Sequence, residues 1–476
     1  MPDVSLIVAD PGHFHAALVQ KEMYPNLSPE VHVYAPLGPD LADYLTRIAR
    51  FNTRKEQPTH WKLEVHAGPD FLERMCRERL GTIAIFSGRN RGKVRRIQAA
   101  IDAGINVLAD KPVIIRRDEL PVLEAALDAA EERGLILYDM SSGGRQQIIP
   151  CLTRLLRNDP DVFGDPVPGT RSEPGVRMAS VHHIMKQVAG VPNFRPAWFF
   201  DVTQQGESLA DVGTHLVDRA HSTLFPEQAI DYRTDIRVHE ASRWPTVLNT
   251  TQFRQVTGEA DWPDYLERWI KTDALEYFCN TRVQYEIRGV QVALETRWDW
   301  EAEAGDDRHT GCYCGSRARL ELRQGAEEGY RSELYVVPTA DIAVPLEHRV
   351  AALQAAYPGI GLTKHGPEWR VIVPDALRIG HEAHFAQMAR RFLDDVEHRR
   401  LAPGVGEAKH ARQILRVHRG RRGEPGLNGQ PNLAAAVAAP AWGAIRVSRR
   451  VEAGLPTISL RARPADHDNG RTFWFT

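Results

Sequence analysis

The first 147 residues alternate short β-branched runs with longer amphipathic stretches, and this rhythm constrains the fold more than any other feature of the chain. Parallel strands need a crossover between them, usually a helix, and the alternation supplies one. The predicted strands are Val4–Ala9, Val31–Tyr34, Thr82–Phe86, Asn106–Leu108 and Leu135–Tyr138, and the clearest predicted helices are Lys93–Ala103 and Glu119–Arg133. We expect a Rossmann-type, doubly wound parallel sheet over residues 1–147.

After Ile148 the strands become longer and alternate apolar with polar residues, which is typical of antiparallel or mixed sheets. The predicted strands are Gly175–Met185, Val283–Leu294, Glu295–Glu301, Arg317–Leu322 and Leu334–Val337, and the predicted helices are Leu209–Leu224 and His381–Arg399. We expect the chain to be α/β overall. A second, α+β domain with a mostly antiparallel open sheet is predicted over residues 148–401.

Residues 402–476 are rich in Arg, Gly, Pro and Ala and have no helical pattern. One interpretation is a basic tail that binds nucleic acid or membrane. Another is a frameshift near residue 402, because codons for Ala408 to Arg421 can be chosen so that a one-base shift spells P-N-M-L-A-K-Y-Y-V-S-T-E-A, which resembles the ending of related chains. Under the second hypothesis the tail is disordered and carries no function, and an in-frame read across codons 395–425 would refute it.

The charge balance and the cysteines limit the function classes. Lys plus Arg number 60 and Asp plus Glu 62, so the chain has no global basic field for nucleic acid. No apolar run approaches the ~20 residues of a membrane span, and the start does not read as a signal peptide. The cysteines are five, and Cys312 and Cys314 have one residue between them instead of two. We expect a cytoplasmic protein without a structural metal.

The loop after the first strand departs from the usual dinucleotide pattern. It reads Asp10-Pro11-Gly12-His13-Phe14-His15, and only Gly12 falls on a glycine position of G-x-G-x-x-G. Asp10 would place a negative charge close to a phosphate. Tyr34 stands where an acidic residue normally binds the ribose, and Asp40 is the nearest acid.

Two further segments carry groups suited to chemistry. Asp110-Lys111-Pro112 follows a predicted buried strand, at the carboxyl edge where open α/β sheets bind ligands. Asp211 and His215 lie four apart on a predicted helix and would share a face. A carboxylate one turn from an imidazole can orient it as a general base, although a surface Asp–His pair is the simpler alternative.

The pairing of strand-Asp-Lys-Pro with Asp211-x-Gly213-x-His215-x-x-Asp218, 100 residues after Lys111, resembles the Gfo/Idh/MocA family of NAD(P)-dependent oxidoreductases. Within that family the chain is most similar to a branch of sugar or glycoside oxidoreductases that begins with a strand followed by D-P-G-H-F-H. The resemblance covers roughly residues 3–400. The family's usual Glu-Lys-Pro is Asp-Lys-Pro here.

The resemblance implies NAD or NADP at the sheet edge and a sugar, glycoside or cyclic polyol as substrate. Lys111 would hydrogen-bond the reacting hydroxyl, His215 would accept its proton and Asp211 would orient the site. The candidate cofactor contacts are Asp10, Gly12, His13, Phe14, His15, Tyr34, Ser87, Arg89, Asn90, Asp110, Lys111 and Pro112. The candidate substrate contacts are His183, Lys186, Trp198 and His215. A homo-oligomer, dimer or tetramer, through the C-terminal sheet is also expected.

His182 and His183 are neighbours on a predicted strand, so their side chains should point to opposite faces and only one should line a cleft. We prefer His183. Aromatic Trp198 could stack on a sugar ring, although a place in the core is the simpler interpretation.

Three functions remain open at this point. The first is net oxidation or reduction of a secondary hydroxyl or ketone. The second is a redox-neutral glycosidase-like lyase or epimerase that uses tightly bound NAD, and the third is a non-catalytic sugar-binding protein. The presence of Lys111, Asp211 and His215 together favours an enzyme, because a pure binder needs no general base.

Overall fold

The computed structural model describes residues 4–140, 147–188, 191–192, 194–226, 228–302 and 306–401. These residues form two large sheets, one from the first part of the chain and one from the second. The tail predicted over residues 402–476 lies outside the described residues. No helix in the described ranges is long and apolar enough to cross a membrane.

The first sheet is six-stranded and parallel, in the order β3-β2-β1-β4-β5-β6. Its strands are β1 (Val4–Ala9), β2 (Leu27–Ala35), β3 (Lys62–Ala67), β4 (Ile83–Phe86), β5 (Asn106–Ala109) and β6 (Leu137–Asp139). Its helices are α1 (His15–Leu18), α2 (Pro39–Thr53), α3 (Phe71–Glu78), α4 (Lys93–Asp102) and α5 (Leu120–Glu132). The strand order reverses between β1 and β4, as in dinucleotide-binding folds. The predicted Rossmann-type sheet is confirmed.

The second sheet has ten strands. Adjacent strands pair antiparallel except β7 and β13, which are parallel. The path is β10-β12-β13-β7-β14-β15-β16-β18-β17, with β11 paired to β12. Its strands are β7 (Val176–His183), β10 (Ile236–Asn249), β11 (Ile270–Lys271), β12 (Ala274–Ile287), β13 (Val290–Asp299), β14 (Arg308–Cys314), β15 (Ala318–Gln324), β16 (Glu333–Pro338), β17 (Gly361–His365) and β18 (Glu368–Ile372). The mostly antiparallel second sheet is therefore confirmed.

The remaining helices all follow β6 in the chain. They are α6 (Ile148–Arg157), α7 (Val202–Gln205), α8 (Gly213–Leu224), α9 (Thr250–Thr257), α10 (Ala343–Leu353) and α11 (His381–Leu401). A short pair, β8 (Gln187–Val188) and β9 (Val191–Pro192), follows β7. Residues of α6, α8 and α10 share one apolar core with the inner side of the second sheet.

Two predicted boundaries were wrong. The single strand predicted at Val283–Leu294 is the end of β12 and the start of β13, joined by a turn at Arg288 and Gly289. Both turn residues have positive φ, 47° and 85°, as a two-residue hairpin turn requires, but a glycine after an arginine is a weak turn signal. The helix predicted from Leu209 begins only at Gly213.

The last helix returns to the first sheet. Five residues of α11 lie at helical spacing and are buried in the same apolar cluster as β1, β2 and α2: Phe385, Met388, Ala389, Phe392 and Val396. This spacing presents one apolar stripe to the core. The described chain thus begins and ends on the parallel sheet.

Candidate active site

The loops after β1 and β4 face each other where the strand order reverses. The backbone N–H groups of Gly12 and His13 both donate to the Ser87 carbonyl, at 3.0 Å each, and the Asp10 N–H donates to the Tyr34 carbonyl at 2.9 Å. These bonds hold the first loop against the ends of β2 and β4. The crevice between such loops is where open α/β sheets bind ligands.

Position 88, on the loop after β4, requires glycine. A Cβ at Gly88 would lie 2.1 Å from the Asp10 carbonyl oxygen and 3.0 Å from the Gly12 nitrogen, so only glycine allows the loops to approach this closely. Asp10 has a φ of 49°, a left-handed conformation that Asp adopts more readily than most residues. Asp10 therefore takes the turn that a glycine usually makes at this position.

The charge of Asp10 is balanced within the protein. Its carboxylate lies 2.9 Å from Nη1 of Arg96, a residue of α4. Because Arg96 neutralises the Asp10 carboxylate, the repulsion expected between Asp10 and a phosphate is reduced. Helix α1 has only four residues, so its dipole is small and phosphate binding would have to rely on other groups.

Asp110, directly after β5, gathers three side chains from the first two loops. His15 Nδ1 lies 3.0 Å from Oδ1, Ser87 Oγ donates to Oδ2 at 2.8 Å, and His13 Nδ1 lies 3.0 Å from Oδ2. Burial opposes ionisation, but the charges and hydrogen bonds of the histidines hold the pKa of Asp110 well below its ordinary value. Burial, followed by the neighbouring His15, lowers the pKa of His13 to about 4. His13 is therefore neutral at pH 7.

Lys93 was not among the predicted site residues. Its side chain holds the Asp-Lys-Pro segment in place through hydrogen bonds to the backbone. Its Nζ donates to the carbonyls of Asp110 and Pro112, at 3.1 and 3.2 Å, and to Oδ1 of Asn90 at 2.5 Å. The side chain is fully buried, and burial lowers the pKa of Lys93 to about 8. An amphipathic helix beginning with lysine gave no signal that this lysine points inward.

Lys111 and Asp211 meet across the two sheets. Lys111 Nζ lies 2.6 Å from Asp211 Oδ1, and both side chains are buried. Burial alone would lower the pKa of Lys111, but the carboxylates of Asp211 and Asp110 outweigh it and leave the pKa raised. Burial likewise opposes ionisation of Asp211, yet Lys111 keeps its pKa below the ordinary value. The pair is fully charged at neutral pH.

The helical relation predicted for Asp211 and His215 was wrong. Asp211 lies in a turn before α8, with its N–H bonded to the Glu207 carbonyl at 3.0 Å, whereas His215 lies in the first turn of α8 and is half-buried. A Cβ at Gly213 would come within 2.8 Å of Leu209 Cδ1, and its N–H donates to Ser208, so the chain turns tightly just before the helix. The Asp211 carboxylate contacts Lys111 and accepts a hydrogen bond from the Gln205 side chain.

The strand end at His182 and His183 also differs from expectation. Both Nδ1 atoms reach Asp307, at 3.0 and 3.1 Å, and Lys186 Nζ also contacts that carboxylate. The alternation argument fails because His183 is the last residue of β7, where the regular pleat ends. Asp307 is a buried residue missed by sequence reasoning. It lies 124 residues after His183, in a loop with no motif.

The other predicted contacts are dispersed over the region. Tyr34 is fully buried and its hydroxyl donates to Glu78, so only its backbone faces the first loop. Asn90 is buried and donates to Gln205 of α7. Phe14 packs between the rings of His13 and His15. Arg89 is half exposed and lies 3.4 Å from Asp40.

Trp198 joins the two parts of the chain. It is buried, and its indole N–H donates to Asp40 at 3.1 Å. The Asp40 carboxylate in turn lies beside Gly12, because a Cβ there would be 3.1 Å from Oδ2. Burial raises the pKa of Asp40. The structure thus brings Trp198 close to the loop after β1, through Asp40.

The chain is similar to a known protein family and to solved structures. Residues 152–407 match the family described as "Putative oxidoreductase C terminal domain". The crystal structure of an oxidoreductase, described as putative, from Parabacteroides merdae is 37% identical, has a TM-score of 0.82, and is matched over 93% of this chain and 96% of that chain. No curated protein matches the sequence.

More distant structures share the fold. One is described as a putative oxidoreductase from Erwinia carotovora atroseptica, at 13% identity and a TM-score of 0.52, over 93% of this chain and 97% of that chain. Another is levoglucosan dehydrogenase in complex with NADH and levoglucosan, at 13% identity and a TM-score of 0.51, over 83% of this chain and 90% of that chain.

The two-sheet architecture, the family match and the structure at 37% identity together indicate an oxidoreductase. The chain belongs to the family described as "Putative oxidoreductase C terminal domain".

Proposed function

We propose that this protein is an NAD(P)-dependent oxidoreductase that acts on a secondary hydroxyl or ketone of an uncharged sugar, glycoside or cyclic polyol. The observation that carries the proposal is the buried pair of Lys111 and Asp211, which sets a lysine at the carboxyl edge of the parallel sheet and against the second domain. The proposal also follows the resemblance of both motifs to the Gfo/Idh/MocA family. Levoglucosan dehydrogenase, which shares the fold, has been solved with NADH and a sugar.

The residues around the crevice fit a dinucleotide. The strand order reverses between β1 and β4, and the backbone of the loop after β1, including Gly12, lies at this reversal. Open α/β sheets bind dinucleotides at that position, where a glycine lets the pyrophosphate approach the backbone. We propose that the loop with Gly12 and His13 faces the pyrophosphate, that Ser87 and Asp110 lie toward the nicotinamide, and that Asp40 lies toward the adenosine ribose.

In the proposed mechanism Lys111 remains an ammonium. Because Asp211 holds that charge in place, the lysine can donate a hydrogen bond to the substrate oxygen and stabilise negative charge that develops there. His215, four residues after Asp211, accepts the hydroxyl proton during oxidation and returns it during reduction. Bound NAD(P) would supply the hydride acceptor or donor. Asp211 thereby positions the lysine in this proposal, whereas the sequence had suggested that it positions the histidine.

The charges of the site favour a neutral substrate. Lys111 lies against Asp211, Lys186 against Asp307, Arg89 against Asp40 and Arg96 against Asp10. Each of these cations is already neutralised within the protein. An anionic group of the substrate would compete with a carboxylate at each of these four cations, whereas a neutral polyol needs only hydrogen bonds.

A direct test combines the purified protein with NAD⁺ or NADP⁺ and a panel of unphosphorylated sugars, glycosides and cyclic polyols. We expect absorbance at the nicotinamide wavelength to rise with a neutral member of the panel, and phosphorylated counterparts to be poor substrates. Conversion of substrate without any net absorbance change would instead support the redox-neutral lyase or epimerase. Cofactor binding with no conversion of any sugar would contradict the proposed activity.

We also propose a homo-oligomer through the outer side of the second sheet. That side carries a cross-strand ion pair of Arg282 with Glu295 at 2.6 Å, and a pair along β13 of Arg297 with Asp299 at 3.7 Å. Alternating charges of this kind can pair with a second copy in the opposite direction. Sedimentation equilibrium should give a dimer or tetramer, and a monomer at micromolar concentration would contradict this proposal.

A further inference from the structure

Three side chains on neighbouring strands of the first sheet form a cluster away from the crevice. They are His32 on β2 and Glu64 and His66 on β3, and we refer to them as the edge cluster. In the parallel register His32 is the partner of Glu64, and Tyr34 is the partner of His66. Residues two apart on a strand share a face, so the three side chains lie on the same side of the sheet.

The donor atoms of the edge cluster already have the separations of a metal site. His32 Nδ1 lies 3.3 Å from His66 Nε2 and 3.2 Å from Glu64 Oε2. Two ligands at about 2.0–2.1 Å from a tetrahedral Zn²⁺ are about 3.3–3.4 Å apart, which is the length of the tetrahedral edge. Both observed distances are within about 0.2 Å of that edge.

The ring positions are fixed before any ion arrives. His66 stacks on Tyr34 with a centroid distance of 4.4 Å and an interplanar angle of 21°, and the hydroxyl of Tyr34 is held by Glu78. His66 is thereby clamped between the strand and a fully buried ring.

The charges around the edge cluster permit a cation. Arg74, on the neighbouring helix α3, is bound to Glu78 at 2.7 Å. Glu64 is 64% exposed, so water can complete the coordination and an ion can enter from solvent.

Two other groups of histidines and carboxylates are less suitable. Asp307, beside His182 and His309, is already contacted by the ammonium of Lys186. Asp110, beside His13 and His15, already accepts from Ser87 and lies in the proposed cofactor crevice. Only the edge cluster, among these three groups, combines an exposed carboxylate with a route from solvent.

We propose that His32, Glu64 and His66 bind a divalent transition-metal ion of the zinc type, with solvent in the remaining position. Two imidazoles and one carboxylate suit Zn²⁺, whereas Mg²⁺ and Ca²⁺ prefer oxygen ligands. The ion would tie the edge strand β3 to β2. This inference does not rest on the proposed catalytic function.

The test titrates the metal-free full-length protein with Zn²⁺ in competition with a chromophoric chelator. The variants His32→Gln and His66→Gln should each lose one zinc equivalent, or bind it at least about tenfold more weakly. The matched control is His60→Gln, since His60 is an exposed histidine of the same domain. Unchanged zinc stoichiometry and affinity in both cluster variants would overturn the proposal.

Two further readouts separate ligation from misfolding. Added Zn²⁺ should raise the thermal unfolding temperature of the wild type and of His60→Gln, but not of His66→Gln, while all three should unfold similarly in chelator. Co²⁺ should give visible absorption bands in the wild type that disappear in His66→Gln. A variant that folds normally and keeps these bands would show that the cluster is not the site.

Discussion

Lys111 and Asp211 form a buried ion pair, so a change to either residue alone affects stability as well as chemistry. Removing the lysine leaves an uncompensated carboxylate in the protein interior. Removing one partner of such a pair typically destabilises a protein by about 3–5 kcal/mol, whereas replacing both with apolar residues is often neutral. Loss of activity in a single variant would therefore be ambiguous.

We predict that Lys111→Met lowers turnover by about 10²–10⁴-fold and reduces the free energy of unfolding. The double variant Lys111→Met with Asp211→Leu should regain most of the stability and stay inactive. Denaturant unfolding and steady-state kinetics on the same preparations measure both. Recovery of turnover in the double variant would remove Lys111 from the mechanism.

His13 should make the protein sensitive to acid. Its pKa is about 4 in the folded protein against an ordinary value of 6.5, so between these values the unfolded chain binds the extra proton. Stability is therefore lost as pH falls from about 6.5 to about 4, by about 1–3 kcal/mol from this residue. Asp110 contributes only at lower pH, because its pKa is held well below the ordinary 3.8.

The corresponding measurement is the free energy of unfolding of wild type and His13→Gln at pH 7 and pH 4.5. We expect a smaller loss on acidification in His13→Gln, because glutamine does not titrate. Exposed His60 again provides the control through His60→Gln, which should follow the wild type. Equal acid sensitivity of His13→Gln and wild type would show that His13 is not held neutral by its surroundings.

The two motif segments selected from the sequence lie together in the fold, and their catalytic roles remain predictions. The segments around Lys111 and Asp211 were selected by their spacing and type, and the fold brings them into contact. Lys93, Arg96 and Asp307 were missed, because the groups they bind depend on how loops and helices pack. A lysine on an amphipathic helix reads as solvent-exposed until the helix is placed on the sheet.

At the level of elements, the close approach of the loops after β1 and β4 depends on Gly88. We predict that Gly88→Ala forces the loops apart, since its Cβ would lie 2.1 Å from the Asp10 carbonyl oxygen. Overpacking of this kind costs about 1–3 kcal/mol, and we also expect weaker dinucleotide binding by fluorescence titration.

Gly38→Ala is the matched control, because nothing lies within 4 Å of a Cβ at Gly38 and its φ of 173° is extended. It should bind dinucleotide and unfold as the wild type does. If Gly88→Ala behaved in the same way, the two loops would not need the contact that the structure describes.

Prediction of the elements failed at turns and edges for physical reasons. Strand β3 was not predicted, although Leu63, Val65 and Ala67 alternate with polar residues. The alternation is short, and no residue of this edge strand is fully buried. The turn at Arg288 and Gly289 was missed although the apolar residues change there from odd positions, ending at Ile287, to even positions, beginning at Val290. Central parallel strands such as β4 were found easily, since all four residues are buried and apolar.

For the whole molecule, α11 links the end of the described chain to the parallel sheet and to the site. Phe385 packs against the ring of His15 at 4.4 Å, and Phe392 packs against Tyr138 of β6 at 5.6 Å. We predict that Phe392→Ala, a deletion in a full core, costs about 3–5 kcal/mol. Chemical denaturation should show this loss, whereas Arg391→Ala, on the exposed side of the helix, should be close to wild type.

An unaltered midpoint for Phe392→Ala would mean that α11 is not part of the folded core.

The architecture of two sheets could be predicted from the strand patterns, but the return of α11 to the first sheet could be predicted only as packing on an unspecified part of the body. An apolar stripe predicts burial without naming the partner surface.

The central claim is that the crevice between the loops after β1 and β4 holds a nicotinamide dinucleotide despite the missing glycines. The most direct measurement is to denature freshly purified protein, quantify released NAD(H) and NADP(H) by mass spectrometry, and titrate the dialysed protein with both cofactors. We predict either stoichiometric recovery or saturable binding that Gly88→Ala weakens. No recovered dinucleotide together with no binding of any of the four added forms would contradict the account.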